Sequence, residues 1–156
     1  MDKSAIAEAM KASISEVLEQ MFFMPIDFIA PDADRRDPEP GGESIIAKLD
    51  FKGSLAGTFM LRVPWALAQA VSADFLGTAR SSLSDKDVTG TVLEMVNMLA
   101  GGALSTYDAQ TLFDLQIPQS ISKEKMDTVI QQGTDEIRIE IQTTESRMTF
   151  QLIVQE

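Results

Sequence analysis

Two side chains in this sequence have the chemistry and the spacing to act together. They are Glu94 and Asn97, one helical turn apart in the run Leu93-Glu94-Met95-Val96-Asn97-Met98-Leu99-Ala100-Gly101-Gly102. The run is otherwise apolar, so a carboxylate and an amide stand out in it. A carboxylate accepts hydrogen bonds from a cation, and an amide both donates and accepts with no protonation requirement. Any chemistry has to come from such groups, because the 156-residue chain contains no Cys and no His. That absence excludes thiolates, disulfides, Cys/His zinc sites, a histidine base and a Ser-His-Asp triad.

The position of the pair follows from helical geometry. Ser84 is a good N-cap, and Asp85 and Asp87 suit the first turn, so a helix is expected from there to about Tyr107. At 100° per residue, Val88, Val92, Met95, Val96, Leu99 and Ala103 fall within an arc of about 100° that faces the core. Gly90, Glu94, Asn97 and Gly101 fall within roughly 60° on the opposite side. Each glycine inside a helix costs about 0.8–1 kcal/mol relative to Ala. An exposed Glu and Asn are by default only solvated, and a solvated face would carry Lys, Glu or Ala at the glycine positions. Bare glycines a turn before and a turn after let another surface come close.

Other elements must hold that helix in place. Ile6, Met10, Ile14, Val17, Leu18 and Met21 recur at helical intervals, so a first helix is expected from about Lys3 to Met24, stopped by Pro25. Pro31 to Glu43 is polar, rich in Pro and Gly, and expected to be a surface loop. Ile45, Ala47, Leu49 and Phe51 alternate, as do Leu55, Gly57, Phe59, Leu61 and Val63. With Lys52-Gly53-Ser54 between them they predict an antiparallel hairpin. Pro64-Trp65 opens a short helix to about Leu76, closed by Gly77. Beyond Tyr107 the pattern is mixed, with one strand expected near Phe113–Ile117 and another near Met126–Gln131. A last hairpin joins Ile137, Ile139 and Ile141 to Met148, Phe150, Leu152 and Val154 through Thr143–Ser146.

Each long helix is thus followed by a hairpin. Val17–Met24 also aligns with Val92–Leu99 through an identical Val-Leu-Glu, with Phe22 opposite Asn97. These features point to one α+β domain over residues 1–156, built from two pseudo-symmetric halves at about 1–77 and 84–156. The expected architecture is an antiparallel-rich sheet with the long helices packed on one face.

Composition narrows the functional classes. Apolar residues at 44% and charged residues at 24% are those of a globular domain. No apolar run approaches the ~20 residues of a membrane span, and the N-terminus lacks a signal core, so a cytoplasmic protein is expected. A net charge of −11 repels phosphate backbones and makes nucleic acid an improbable partner. Asp32, Asp34, Asp37 and Glu39 lack the order of an EF-hand and are interrupted by Arg35 and Arg36, which favours a solvated loop over calcium binding. Gly101-Gly102 follows no strand and lacks GxGxxG spacing, so nucleotide binding is improbable. Met21, Phe22, Phe23 and Met24 read as core, with a buried partner contact as the alternative.

The run Glu94-Met95-Val96-Asn97-Met98-Leu99-Ala100-Gly101 resembles the E-x-x-N-x-x-x-G signature of the CheC/CheX/FliY phosphatases of bacterial chemotaxis. The resemblance extends to the order of elements over nearly the whole chain. Some of those proteins carry the motif in both halves. CheX-type members carry it in the second only, as here, where Phe22 replaces the first Asn. The chain departs from the pattern at Gly90, where Asp or Ser is usual. It departs again after Pro118, which is followed by no glycine until Gly133.

The resemblance implies a phosphatase acting on the aspartyl phosphate of a CheY-like receiver domain. The phosphatase has no cofactor of its own, and Mg²⁺ and a lysine on the receiver neutralise the phosphoryl group. It implies that Asn97 positions the attacking water, that Glu94 reaches the receiver's lysine, and that Gly90 and Gly101 allow docking. Phosphoryl transfer of this kind needs mainly in-line positioning. The resemblance also implies a homodimer formed by pairing sheet edges. The alternative is a non-catalytic, receiver-binding module like those of the flagellar switch.

Overall fold

The computed structural model describes residues 1–30 and 42–155. The first helix, α1, spans Lys3–Ile14 and runs on through a π-helical segment at Ser15–Met21. Strand β1 is Asp27–Ile29, β2 is Ser44–Lys52 and β3 is Ala56–Pro64. Helix α2 covers Trp65–Leu76 and ends on Gly77, whose φ of 65° is the left-handed conformation that a residue without Cβ adopts at no steric cost. Helix α3 covers Asp85–Tyr107. Then follow β4 at Asp114–Leu115, β5 at Gln119–Ile121, α4 at Lys123–Gln132, β6 at Asp135–Gln142 and β7 at Arg147–Gln155.

The strands form one seven-stranded sheet in the order β1-β6-β7-β3-β2-β4, with β5 also paired to β2, and every pairing is antiparallel. Exchanging the parts of the chain before and after Ser84 leaves this order unchanged. Strands β3 and β7 meet at the centre, β2 and β6 flank them, and β4/β5 and β1 lie at the edges. The central strands carry matching residues, Phe59-x-Leu61-x-Val63 and Phe150-x-Leu152-x-Val154, which the helix alignment did not use.

The alternating residues expected to face inward do so. Ile45, Ala47, Leu49, Phe51, Phe59, Leu61, Val63, Ile137, Ile139, Ile141, Phe150 and Leu152 all join one buried cluster with α1, α2 and α3. Across it, Phe51 and Phe59 lie 5.1 Å apart between ring centroids, and Phe59 stacks on Phe150 at 5.3 Å. Each such pair adds about 0.5–1.5 kcal/mol beyond the area it buries. Helices α1 and α3 cross where Gly102 meets Ser13, whose hydroxyl donates to the Leu99 carbonyl at 2.8 Å.

The structure corrects the sequence-based expectation in three places. Met126–Gln131 is not a strand but lies within α4. Ser122 caps that helix by accepting from the Lys125 amide, and Met126 and Val129, three residues apart, bury one helical face. The β-branched run Thr128-Val129-Ile130 favours a strand locally, but capping and burial outweigh so weak a preference. Helix α4 covers the opposite face of the sheet, over Ile46, Met60 and Ile153. Second, β1 and β5 are too short to carry a pattern and appear only as partners of β6 and β2.

Third, the first helix ends at Met21, and its last turns are wider than an α-helix. The Phe22 amide donates to Val17 O at 3.2 Å, and that of Met24 to Leu18 O at 2.9 Å. Widening turns the following side chains around the axis. Val17 and Val92 are both buried and Glu19 and Glu94 both exposed. Phe22, however, is buried where its aligned partner Asn97 is exposed. Phe23 then takes a φ of 52°, the sole positive value at a non-glycine among the described residues. That conformation costs a residue with a Cβ roughly 1–2 kcal/mol. Most of the Pro31–Glu43 loop, with Asp32, Asp34, Asp37 and Glu39, lies outside the described residues.

One carboxylate on β2 sets an acid-dependent component of stability. Burial raises the pKa of Asp50. Hydrogen bonds from Lys48 at 2.8 Å and Thr58 at 2.6 Å, with the charges of Lys48 and Lys125, outweigh burial and hold it below its ordinary value of 3.8. A depressed carboxylate stabilises the fold above its unfolded pKa and loses that contribution as pH falls through the folded one. Asp50→Asn should therefore lower stability at pH 7 by about 1 kcal/mol, with its half-exposed side chain discounted for screening. The difference from wild type should vanish on acidification below the folded pKa. Denaturant titrations at pH 7 and pH 3 check this, and a deficit that does not narrow would rule out the linkage.

Candidate functional site

Helix α3 is built as its end signals require. The Ser84 hydroxyl accepts from the Asp87 amide at 3.1 Å, and the Asp87 carboxylate accepts from the Ser84 amide at 3.1 Å. This reciprocal box satisfies two amides that a helix start leaves without partners. Val88, Val92, Met95, Val96, Leu99 and Ala103 are all buried, so the core side of α3 is the expected one.

The opposite side holds the pair. Glu94 and Asn97 are both exposed, as is Gly90, while Gly101 is partly covered. Among the described residues neither the Glu94 nor the Asn97 side chain makes a hydrogen bond or ion pair, so a free carboxylate and a free amide stand a turn apart on a 23-residue helix. A Cβ added at Gly90 or Gly101 meets nothing within 4 Å, unlike one at Gly102, which meets Ser13 Oγ at 2.5 Å. Packing within the described residues therefore disfavours a side chain at position 102 but not at 90 or 101.

The site is convex. Clefts of about 400 and 500 Å³ open around Met1, Ser54 and Leu55, and neither is lined by Glu94 or Asn97. Among the described residues no group of three or more Asp and Glu is placed to hold a metal ion. Half-buried Leu93 and Met98 lie on either side of the pair and give it an apolar margin. The sequence singled out neither, since both read as ordinary members of the apolar run. A face with free polar groups on a helix surface, outside both of these clefts, suits contact with a large surface rather than enclosure of a small molecule.

The antiparallel sheet, the long helices on one of its faces and the order of elements place the chain in the CheC-like class of α+β proteins. A family model, that of the chemotaxis phosphatase CheX, matches residues 45–142, a span that contains Gly90, Glu94, Asn97 and Gly101. The chain belongs to the CheX family.

Solved structures agree on the fold. CheX in the CheX–CheY–BeF₃–Mg²⁺ complex from Borrelia burgdorferi is similar with a TM-score of 0.76 at 19% identity, over 96% of this chain and 97% of that one. CheX from Vibrio vulnificus is similar with a TM-score of 0.72 at 16% identity, over 99% of each chain. FliY from Thermotoga maritima gives 0.61 at 16% identity, over 96% of this chain and 86% of that one. No curated protein matches. No helix among the described residues is long and apolar enough to cross a membrane.

Proposed function

We propose that this protein hydrolyses the aspartyl phosphate of a CheY-like receiver domain, with Glu94 and Asn97 as the working pair. The observation that carries the reading is the unpartnered carboxylate and amide on the outer face of α3, inside the span matched by a phosphatase family model. In this reading the receiver supplies Mg²⁺ and a lysine, which neutralise the phosphoryl oxygens. The Asn97 carbonyl accepts from a water and its NH₂ donates to the phosphoryl group, which holds the water in line. The water oxygen bonds to phosphorus as the bond to the aspartyl oxygen breaks. The water's proton passes to the phosphate, and the receiver carboxylate is left free. Glu94 pairs with the receiver's lysine and sets the register of docking. No general base is needed, so a chain without histidine can do this work.

Phosphate release from a phosphorylated receiver tests the reading. Acceleration by this chain supports it. Binding without acceleration makes the protein a non-catalytic module instead.

Gly90 and Gly101 act in this reading as clearances for the receiver. Alanine at both positions should raise the stability of the free protein by about 0.8–1 kcal/mol each, since helix propensity improves and the added methyls have room. The same double substitution should weaken receiver binding. Melting curves beside a receiver titration check both halves, and unchanged affinity would remove the glycines from the docking surface.

The cytoplasm, where receivers are phosphorylated, is the compartment this function requires. The two halves, about 1–77 and 84–156, represent one unit used twice, of which the second retains the amide. The protein acts as a homodimer paired at a sheet edge. The β4/β5 edge favours this, because Leu112 and Ile117 beside it are 95% and 84% exposed. Light scattering should give a dimer at micromolar concentration and a monomer for Leu112→Asp/Ile117→Asp. A wild-type monomer would refute the pairing.

A further inference from the structure

The junction of the first helix with α2 carries apolar surface that the receiver reaction does not use. Phe22 is buried and stacks on Phe75 with centroids 4.9 Å apart, which ties the end of the π-helical segment to the end of α2. Around this stack Met21, Phe23, Phe75 and Leu76 are all exposed, and Phe23 is 85% exposed. Phe23 also holds the left-handed conformation at the helix end, the place where glycine is the ordinary choice. Burial among the described residues does not compensate that strain, because the ring is exposed. A strained backbone that presents an aromatic ring outward belongs to the outliers that cluster at functional surfaces.

The charges around the patch identify what fits it. From Ser15 to Asp27 and from Trp65 to Arg80 four charged residues are acidic, Glu16, Glu19, Asp27 and Asp74, and the one cation, Arg80, is engaged by Glu145 at 2.9 Å. All four carboxylates are exposed. A second copy would bring the same carboxylates against these, and like charges facing each other in a self-complementary contact oppose it. An aromatic and methionine centre with an acidic rim is the complement of an amphipathic helix whose apolar stripe is bordered by Lys and Arg.

We infer that the α1–α2 junction is a docking site for a basic amphipathic helix of a partner protein, separate from the face that carries Glu94 and Asn97. The two elements on each side supply the anchors: Met21 and Phe23 from one, Phe75 and Leu76 from the other. The acidic rim orients the helix and the apolar centre holds it.

A synthetic 20-residue helix of Leu and Lys, with Leu on one stripe, is the probe, and its Leu/Glu counterpart is the control. Fluorescence anisotropy with wild type should show saturable binding of the Lys peptide that persists in 0.3 M NaCl, and none of the Glu peptide. Phe23→Gly should weaken binding at least 10-fold while the melting temperature stays equal or rises, because glycine accepts the left-handed conformation. Leu76→Gln should weaken it in the same direction. Equal binding by wild type and Phe23→Gly, or loss of binding to both in 0.3 M NaCl, would reduce the effect to attraction by net charge and overturn the site. So would a wild-type dimer that Phe23→Gly converts to a monomer, since the patch would then be covered by a second copy.

Discussion

Asn97→Ala should reduce receiver dephosphorylation by about 10²–10³-fold, the usual cost of removing one positioned hydrogen-bonding group from a transition state. The protein should remain folded. Asn97 is exposed, and no hydrogen bond to a described residue is lost with its side chain. Alanine is also the better helix former, by up to about 0.7 kcal/mol, so the melting temperature should hold or rise. Binding of the receiver should change little, because in the proposed reaction Asn97 acts on water and phosphate while Glu94 acts on the receiver. A fall in kcat with KM nearly constant is the signature of an interaction made in the transition state. Single-turnover phosphate release at saturating enzyme checks it. Undiminished hydrolysis by the variant would move the water-positioning role elsewhere on the surface.

Gly57→Ala should be the most damaging single methyl addition on the sheet side of the molecule. Gly57 lies in β3 between Phe51 of β2 and Val154 of β7. A Cβ there would stand 2.4 Å from the carbonyl oxygen of Ile153 and 3.3 Å from the Val154 Cα. Both are main-chain atoms, so no rotamer change relieves the clash. The central β3–β7 pairing must open, and the loss expected is about 3 kcal/mol, at the upper end for overpacking. For a chain of this length that is a drop of about 6–12 °C in melting temperature. Thermal unfolding by circular dichroism checks the figure. A shift below about 2 °C would mean that the strands part more easily than their pairing implies.

These two sites differ in how they were legible. Glu94 and Asn97 could be found from the chain alone. Helical periodicity is local, and a polar residue in an apolar run betrays its face as soon as the 3.6-residue repeat is drawn. The exposed side of α3, its N-cap, both hairpins and the inward rows of β2, β3, β6 and β7 rest on interactions within a few residues or on strict alternation. The resemblance to CheX-type proteins followed from the same local residues.

Gly57 could not be read this way. It looked like one more alternating position, and its constraint comes from Ile153, which is distant in sequence. The same limit explains α4, where a β-branched run became helical because Ser122 caps it and Met126 and Val129 find apolar surface on the far side of the sheet. It explains β1 and β5, each only three residues long, which exist because β6 and β2 have edges to pair.

It also explains Phe22. By alignment it sits opposite the exposed Asn97, yet a wide helical turn carries it inward onto Phe75. Sequence by itself determined where the polar pair stands, which faces are apolar and which long elements exist, because hydrogen bonding along a helix and alternation along a strand are short-range. Only the tertiary structure decided which glycine is held by packing, which short segment becomes a strand and which aromatic ring is left in water. Those outcomes depend on contacts between residues the chain brings together only after it has folded.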